Sequence, residues 1–173
     1  GERATAVQPR MQLIERDHAD RHALRRRKRA LIESVPAKER VAQLQAAGID
    51  ALGMPADLTD SSQADALVDR AVQHFGRLDV VVNNAGVLLP AKVVDLDPAD
   101  LQRMLDVNLF GALHVLQAAV KQMQKQDSGG HVVNVASLAG RRGFSPLGGY
   151  CASKFALVGL TEALRTELMG SNV

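Results

Sequence analysis

Glycine is missing from most of the N-terminal quarter of this 173-residue chain. Gly1 is followed by no other glycine until Gly48, so 46 consecutive residues carry none. A loop that wraps a pyrophosphate at a helix N-terminus needs glycines, because only their backbone lets the phosphate approach closely. The absence therefore excludes a glycine-built phosphate loop near the N-terminus.

Long apolar runs and paired cysteines are also absent. No apolar run approaches the roughly 20 residues that span a bilayer, and none follows the N-terminal charges, so we expect neither a membrane protein nor a secretory signal. The single cysteine, Cys151, cannot form an internal disulfide, which fits a reducing compartment such as the cytoplasm. The five histidines show no metal-ligand spacing, so no metal site is expected.

The small net charge of +2 hides two differently charged segments. Residues 1–40 hold 11 basic and 6 acidic residues, whereas the remainder holds 10 and 13. Residues 1–37, which include the basic run Arg25–Arg29, are predicted to be an atypical basic N-terminal segment. A basic run this short is more often a solvated surface than a nucleic-acid-binding or targeting arm. Nucleic acid is therefore not an expected partner, although a nucleic-acid-binding or targeting role of the basic run stays open.

From residue 38 onward, apolar periodicity indicates alternating helices and strands. The predicted order is helix Lys38–Ala47, strand 49–56, a helix capped by Asp60 with Gln63 and ended by Gly76, strand Leu78–Val82, helix Pro98–Gln126, strand His131–Ala136, and a helix from Tyr150 toward Leu168. The valine-rich runs are typical of strands buried on both faces. This alternation predicts a parallel α/β sheet with right-handed crossovers.

Polar or small residues follow each predicted strand. Asp57 follows the first strand, Asn83 and Gly86 lie after the second, and Ser137 follows the third. Doubly wound sheets bind ligands at the carboxyl ends of their strands, so these residues are candidates for a binding site. Each of them taken alone is also compatible with an ordinary strand-to-loop turn.

Three further residues combine chemistry with suggestive placement. Tyr150, the only tyrosine, and Lys154 lie four apart at the start of a helix and therefore share one face. A neighbouring ammonium stabilises a phenolate and helps a tyrosine exchange protons near neutral pH, although a solvated helix face is the alternative. Asn108 falls within an apolar helical stripe, where a carboxamide must have its hydrogen bonds satisfied. It is either a satisfied structural asparagine or a functional residue.

Together and in this order, these residues resemble the short-chain dehydrogenase/reductase family over about residues 40–173. The resemblance rests on Asn83-Asn84-Ala85-Gly86, Asn108, Ser137 and the Tyr-x-x-x-Lys pattern of Tyr150 and Lys154. It implies a Rossmann-like doubly wound parallel sheet with helices on both faces, incomplete at both ends. Residues 38–173 are then a partial Rossmann-fold domain.

The resemblance also implies an activity, namely hydride transfer between NAD or NADP and a small carbonyl or alcohol substrate. Tyr150 would be the general acid/base, and Lys154 would hold the nicotinamide ribose. Ser137 would bind the substrate oxygen, and Asn108 would hold a water that relays protons. The implied cofactor-binding residues are Asp57, Leu58, Asn83, Ala85, Gly86, Val107, Tyr150 and Lys154. The helices Pro98–Gln126 and from Tyr150 would mediate a homodimer or homotetramer.

Two departures from the family pattern leave an alternative open. No Thr-Gly-x-x-x-Gly-x-Gly loop occurs near residues 8–18, where the family pattern would place it, and the chain stops at Val173 within or just after the last helix. The alternative is a truncated, catalytically impaired member that acts at most as a self-associating or binding module. We also hypothesise that the DNA reading frame is wrong over residues 1–37, which translation of the other two frames would test.

Overall fold

The computed structural model describes residues 37–173, which divide between Gly53 and Met54 into two units. The predictions about residues 1–36, including Arg25–Arg29, lie outside the described residues. In the first unit, helix α1 spans Ala37–Ala46 and is followed by Gly48, whose φ of +77° lies in the left-handed region that favours glycine. The helix predicted to stop at Gly48 is confirmed to within one residue at each end.

The strand predicted over residues 49–56 does not form. These residues have no regular secondary structure, and the two strands of the described sheet pair only with each other. A short apolar run becomes a strand only where a neighbour supplies the hydrogen bonds of a ladder. The prediction was wrong because composition alone does not provide that neighbour.

The second unit, Met54–Val173, alternates helices with two parallel strands. Its elements are α2 (Ser61–Phe75), β1 (Val80–Asn83), α3 (Pro98–Leu105), a π-helical turn (Asp106–Phe110), α4 (Gly111–Met123), β2 (His131–Asn134) and α5 (Gly148–Glu167), with 3-10 turns at Val93–Asp95 and Leu138–Gly140. Val80 lies opposite His131, and Asn83 lies opposite Asn134. Parallel strands joined by a helical crossover confirm the predicted α/β class.

Local chemistry explains where α2 begins and ends. Asp60 is its N-cap, and the Asp60 carboxylate accepts the Ser62 backbone N–H at 2.9 Å. Gln63 does not complete the predicted capping box, because its Oε1 accepts the backbone N–H of Asp57 instead of that of Asp60. Gly76 closes the helix at a φ of +80°, as expected.

The long helix predicted over Pro98–Gln126 is helical from Pro98 to Met123, but it is not a uniform α-helix. Asp97 caps it by accepting the Ala99 N–H, with Pro98 in the first turn. The π-helical turn Asp106–Phe110 interrupts it midway. Such single π-turns are frequent at functional sites, and apolar periodicity gives no sign of them.

The β1–β2 pair is covered on one face only within the second unit. Val81 packs against a core of Val68, Ala118 and Ala119, supplied by α2 and α4. Side chains alternate along a strand, and Val80 and Val82 on the other face are 53% and 58% exposed. The prediction of strands buried on both faces was therefore wrong for the described residues, since the helices of this unit that pack on the strands cover the Val81 side.

No helix among residues 37–173 is long and apolar enough to cross a membrane.

Gly140 is a position where the packing of the 3-10 turn on α5 can be tested. A Cβ there would lie 2.9 Å from the Lys154 carbonyl oxygen and 2.9 Å from Cγ2 of Val158. Because a backbone atom cannot yield easily, we expect Gly140→Ala to lower the free energy of unfolding by about 1–3 kcal/mol. Gly159→Ala on the same helix is the control, since a Cβ there meets nothing within 4 Å, and it should stabilise by about 0.5–1 kcal/mol. Urea unfolding measures both, and equal stability of Gly140→Ala and the parent would contradict the packing.

Candidate active site

The carboxyl ends of β1 and β2 are joined by two asparagines. Nδ2 of Asn83, a buried residue, donates to Oδ1 of Asn134 at 2.9 Å and to the Ala112 carbonyl at 3.3 Å. Nδ2 of Asn134 in turn donates to Oγ1 of Thr161 at 2.9 Å. The amide group of Asn83 therefore links β1 to β2 and to α4, and Asn134 extends the chain of hydrogen bonds to α5. Asn134 and Thr161 were missed from the sequence, although Asn134 shares with Asn83 the signal of an amide that ends a valine-rich run.

Asn108 lies in the π-helical turn and is fully buried. Its Oδ1 accepts the Val87 backbone N–H at 2.7 Å, and its Nδ2 donates to the Val87 carbonyl and to Oγ of Ser153, both at 2.9 Å. Both amide protons are thus in use. The protein itself thus supplies partners for both the donor and the acceptor group of the Asn108 side chain. This agrees with the first alternative, a structural asparagine whose hydrogen bonds are satisfied. A water can then be held only at the remaining lone pair of Asn108 Oδ1 or at the backbone carbonyl of Asn108.

Tyr150 and Lys154 lie in the first turns of α5, as predicted. The Lys154 ammonium is 5.8 Å from the centre of the Tyr150 ring, within the range of a cation–π contact. Lys154 is buried, and its Nζ donates to the Val135 carbonyl at 2.9 Å, just beyond β2. Desolvation by this burial lowers the pKa of Lys154 below its ordinary value of 10.5.

Gly86 shows that three of the predicted residues converge. A Cβ on Gly86 would lie 3.1 Å from Oδ1 of Asn108 and 3.7 Å from Nζ of Lys154. Both polar atoms therefore face the same small space beside the Gly86 backbone. A ligand that reaches this space could contact both the ammonium and the carboxamide oxygen.

Ser137 caps the 3-10 turn Leu138–Gly140 that follows β2. Its Oγ accepts the Ala139 backbone N–H at 3.1 Å, which leaves the hydroxyl proton available to a ligand oxygen. Gly140, in the same turn, packs on the Lys154 backbone. Ser137 is therefore tied to a turn that contacts the helix of Tyr150 and Lys154.

The predicted adenine-binding residues have mixed placements. Oδ1 of Asp57 accepts both the backbone N–H and the hydroxyl of Thr59, so this oxygen already has local partners. The Leu58 carbonyl lies 2.9 Å from Nδ1 of His114, a contact that sequence reasoning missed because His114 gave no motif signal. Val107 is half-buried in the π-helical turn.

A cavity of about 290 Å³ lies between α2, β1 and α4. Leu58, Asn83 and Ala85 line it, whereas Asp57, Gly86 and Val107 do not. The structure thus separates the predicted cofactor-binding residues into this cavity and the space beside Gly86. Among residues 37–173, no group of three or more His, Cys, Asp or Glu side chains is arranged to hold a metal ion.

The burial of Lys154 predicts a pH dependence of stability. Between the lowered pKa and 10.5, the folded chain has released the Lys154 proton while the unfolded chain still binds it. Stability rises with pH wherever the unfolded state binds more protons, so the free energy of unfolding should rise as the pH increases toward 10.5. We expect Lys154→Met to lose this rise and Lys121→Met, at an exposed position of α4, to keep it. Urea unfolding at several alkaline pH values measures the effect, and an unchanged rise in Lys154→Met would contradict it.

The parallel α/β unit and the residues at its strand ends define a protein of Rossmann-like class. The family model described as short chain dehydrogenase matches residues 20–173. An uncharacterized oxidoreductase of Staphylococcus saprophyticus is 40% identical over 68% of this chain and 48% of its own length, and a diacetyl reductase of Staphylococcus epidermidis is 34% identical over 73% and 49%. The chain belongs to the short-chain dehydrogenase family and spans about half the length of these curated relatives.

Solved structures confirm the predicted fold. A short chain dehydrogenase/reductase from Burkholderia phymatum in complex with NAD is 34% identical, with a TM-score of 0.75 over 77% of this chain and 47% of that one. An NAD⁺-bound xylitol dehydrogenase is 35% identical, with a TM-score of 0.74 over 77% and 51%. The fold is therefore the partial Rossmann-like α/β fold that the motifs predicted.

Proposed function

We propose that the protein is an oxidoreductase that moves a hydride between NAD(H) or NADP(H) and the carbonyl or alcohol carbon of a small molecule. The observation that carries the proposal is the convergence of Asn108 and Lys154 beside Gly86, with Tyr150 in the same turns of α5 as Lys154. The bound NAD in a solved relative supports the choice of cofactor.

The residues beside Gly86 fit the nicotinamide end of such a cofactor. A side chain on Gly86 would fill the space that Asn108 and Lys154 face, so glycine keeps this space open. The Lys154 ammonium has three donors and uses one on the Val135 carbonyl, so the others can bind ribose hydroxyls. Leu58, Asn83 and Ala85 line the cavity that we assign to the adenine end. When bound, the cofactor supplies or takes up the hydride.

The chain's own residues supply proton transfer and orientation in this proposal. Tyr150 donates its phenolic proton to the substrate oxygen as a carbonyl is reduced, and takes it back in the reverse direction. The Lys154 ammonium stabilises the phenolate that results. Ser137 donates a hydrogen bond from its hydroxyl to the same substrate oxygen and keeps its proton, and Asn108 holds a water that returns a proton to Tyr150 through Lys154.

A homodimer or homotetramer in the cytoplasm completes the proposal. Phe110 in the π-helical turn and Phe155 on α5 are both exposed, which favours self-association through these helices. The same observation supports the second candidate, a self-associating module without turnover. The single cysteine, Cys151, is buried and free, which is compatible with a reducing compartment.

Titration of the purified chain with NADH and with NADPH separates the two candidates. The chain has no tryptophan, so the fluorescence of the reduced nicotinamide can be followed with little protein background. We expect saturable binding that Lys154→Met weakens and Lys121→Met does not. A substrate panel would include diacetyl and xylitol, for which two relatives are named. No saturable binding up to millimolar cofactor would overturn the oxidoreductase proposal for this chain and leave the self-associating module.

A further inference from the structure

The hydroxyl of Ser153 lies at the centre of a buried hydrogen-bond chain. Ser153 is fully buried on α5, one residue before Lys154. Its hydroxyl donates to the Tyr150 carbonyl at 2.8 Å and accepts from Nδ2 of Asn108 at 2.9 Å. One side chain thus joins the π-helical turn to the helical turn that carries both Tyr150 and Lys154.

Within the described residues, this hydroxyl has no evident substitute. Asn108 forms its other two side-chain bonds with the backbone of Val87, at the loop after β1. Asn108 and Ser153 are both fully buried, so solvent is not at hand to replace either partner. Removal of the Ser153 hydroxyl would leave one amide proton of Asn108 without an acceptor and would free the Tyr150 carbonyl from this bond.

We propose that Ser153 is a positioning residue for the reaction, and this inference rests on the proposed function. By binding Asn108 and the Tyr150 backbone together, it sets the first turns of α5 against the π-helical turn. The same contact holds Lys154 where it faces the space beside Gly86 together with Asn108. Ser153 acts through these residues and contacts neither substrate nor cofactor.

Thr161 provides a matched control on the same helix. Its hydroxyl donates to the Leu157 carbonyl at 2.6 Å and accepts from Nδ2 of Asn134 at 2.9 Å, so it repeats the hydrogen-bond pattern of Ser153 further along α5. Thr161→Val therefore removes an equivalent pair of bonds away from Tyr150 and Lys154. A purely structural role predicts similar behaviour for Ser153→Ala and Thr161→Val.

The near-UV circular dichroism of Tyr150 distinguishes positioning from simple structural support. Tyr150 is the only tyrosine and there is no tryptophan, so the tyrosine band of the full chain reports the surroundings of this one ring. Ser153→Ala releases the Tyr150 carbonyl and should let the ring and the Lys154 ammonium move relative to each other. We expect Ser153→Ala to lose much of this band and Thr161→Val to keep it.

A double-mutant cycle links Ser153 to Lys154. Ser153→Ala should weaken NADH binding in the same direction as Lys154→Met, and Ser153→Ala added to Lys154→Met should add little, because both act through the same ammonium. If Ser153→Ala does not fold, Ser153→Cys retains a weak donor and acceptor and should lose less of the Tyr150 band. A Tyr150 band unchanged in the folded Ser153 variant, or lost equally in Thr161→Val, would overturn the inference.

The spectroscopic test and cofactor binding can fail independently. Loss of the Tyr150 band in Ser153→Ala but not in Thr161→Val, in a chain that binds no NADH or NADPH, would leave the positioning role of Ser153 intact and refute the proposed function. An unchanged band in a chain that binds cofactor would refute the positioning role alone. In the active protein, Ser153→Ala should lower kcat more than it raises the KM for the carbonyl substrate.

Discussion

Replacement of Tyr150 by phenylalanine is expected to reduce kcat by about 100-fold to 10,000-fold, the usual contribution of a positioned general acid/base. Phenylalanine preserves the ring that lies 5.8 Å from the Lys154 ammonium but has no proton to give to the substrate oxygen. Cofactor affinity should change little, because the proposal assigns the ribose contact mainly to Lys154. Absorbance of the reduced nicotinamide at 340 nm measures turnover, and cofactor fluorescence measures binding.

Cys151→Ala is the control for this prediction. Cys151 is buried in the same helical turn and has no role in the proposed chemistry, so its replacement tests whether a small disturbance of α5 is enough to stop turnover. We expect Cys151→Ala to retain most of the parental kcat. Equal kcat values for Tyr150→Phe and the parent would show that another group transfers the proton.

The second large effect is expected at Asn108. Asn108→Ala removes the partner of the Val87 N–H, the Val87 carbonyl and the Ser153 hydroxyl in a fully buried position. Unsatisfied buried polar groups cost about 1–3 kcal/mol each, and some of this is recovered by relaxation. We therefore expect Asn108→Ala to lower the free energy of unfolding by about 3 kcal/mol.

Two further variants sharpen the test of Asn108. Asn108→Asp can still accept the Val87 N–H but can donate nothing to Ser153 while ionised, and it would bury a charge. It should therefore be at least as destabilising as alanine at neutral pH. Gln117→Ala, an exposed amide on α4, should change stability by less than about 0.5 kcal/mol. If urea unfolding showed the same free energy of unfolding for Asn108→Ala and Gln117→Ala, the hydrogen bonds of Asn108 would not contribute to stability.

Sequence reasoning was most successful where a single residue and its near neighbours decide the structure. Gly48 and Gly76 end helices as predicted, and both have a positive φ; Asp97 with Pro98 begins a helix. It failed where the outcome depends on distant neighbours. The strand predicted over residues 49–56 has no ladder, and Val80 and Val82 are exposed because the described unit covers one face of the pair.

The candidate site shows the same division between local and distant effects. Tyr150 and Lys154 share a face because residues four apart on any α-helix do so, and this was readable from spacing alone. The π-helical turn and the contact between His114 and Leu58 could not be predicted from the sequence, since neither changes apolar periodicity. The catalytic and cofactor-binding roles of all the predicted site residues stay predictions.

The sequence by itself determined family membership, the order of the main helices and parallel strands, and the Tyr150–Lys154 pair, because caps, periodicity and short motifs are local properties. Only the tertiary structure decided that the Asn108 side chain forms hydrogen bonds with Val87 and Ser153, which lie 21 and 45 positions away along the chain. It also decided that Asn108 and Lys154 face one space beside Gly86. The physical reason is that hydrogen bonds and close packing between distant segments exist only after the helices have docked on the sheet.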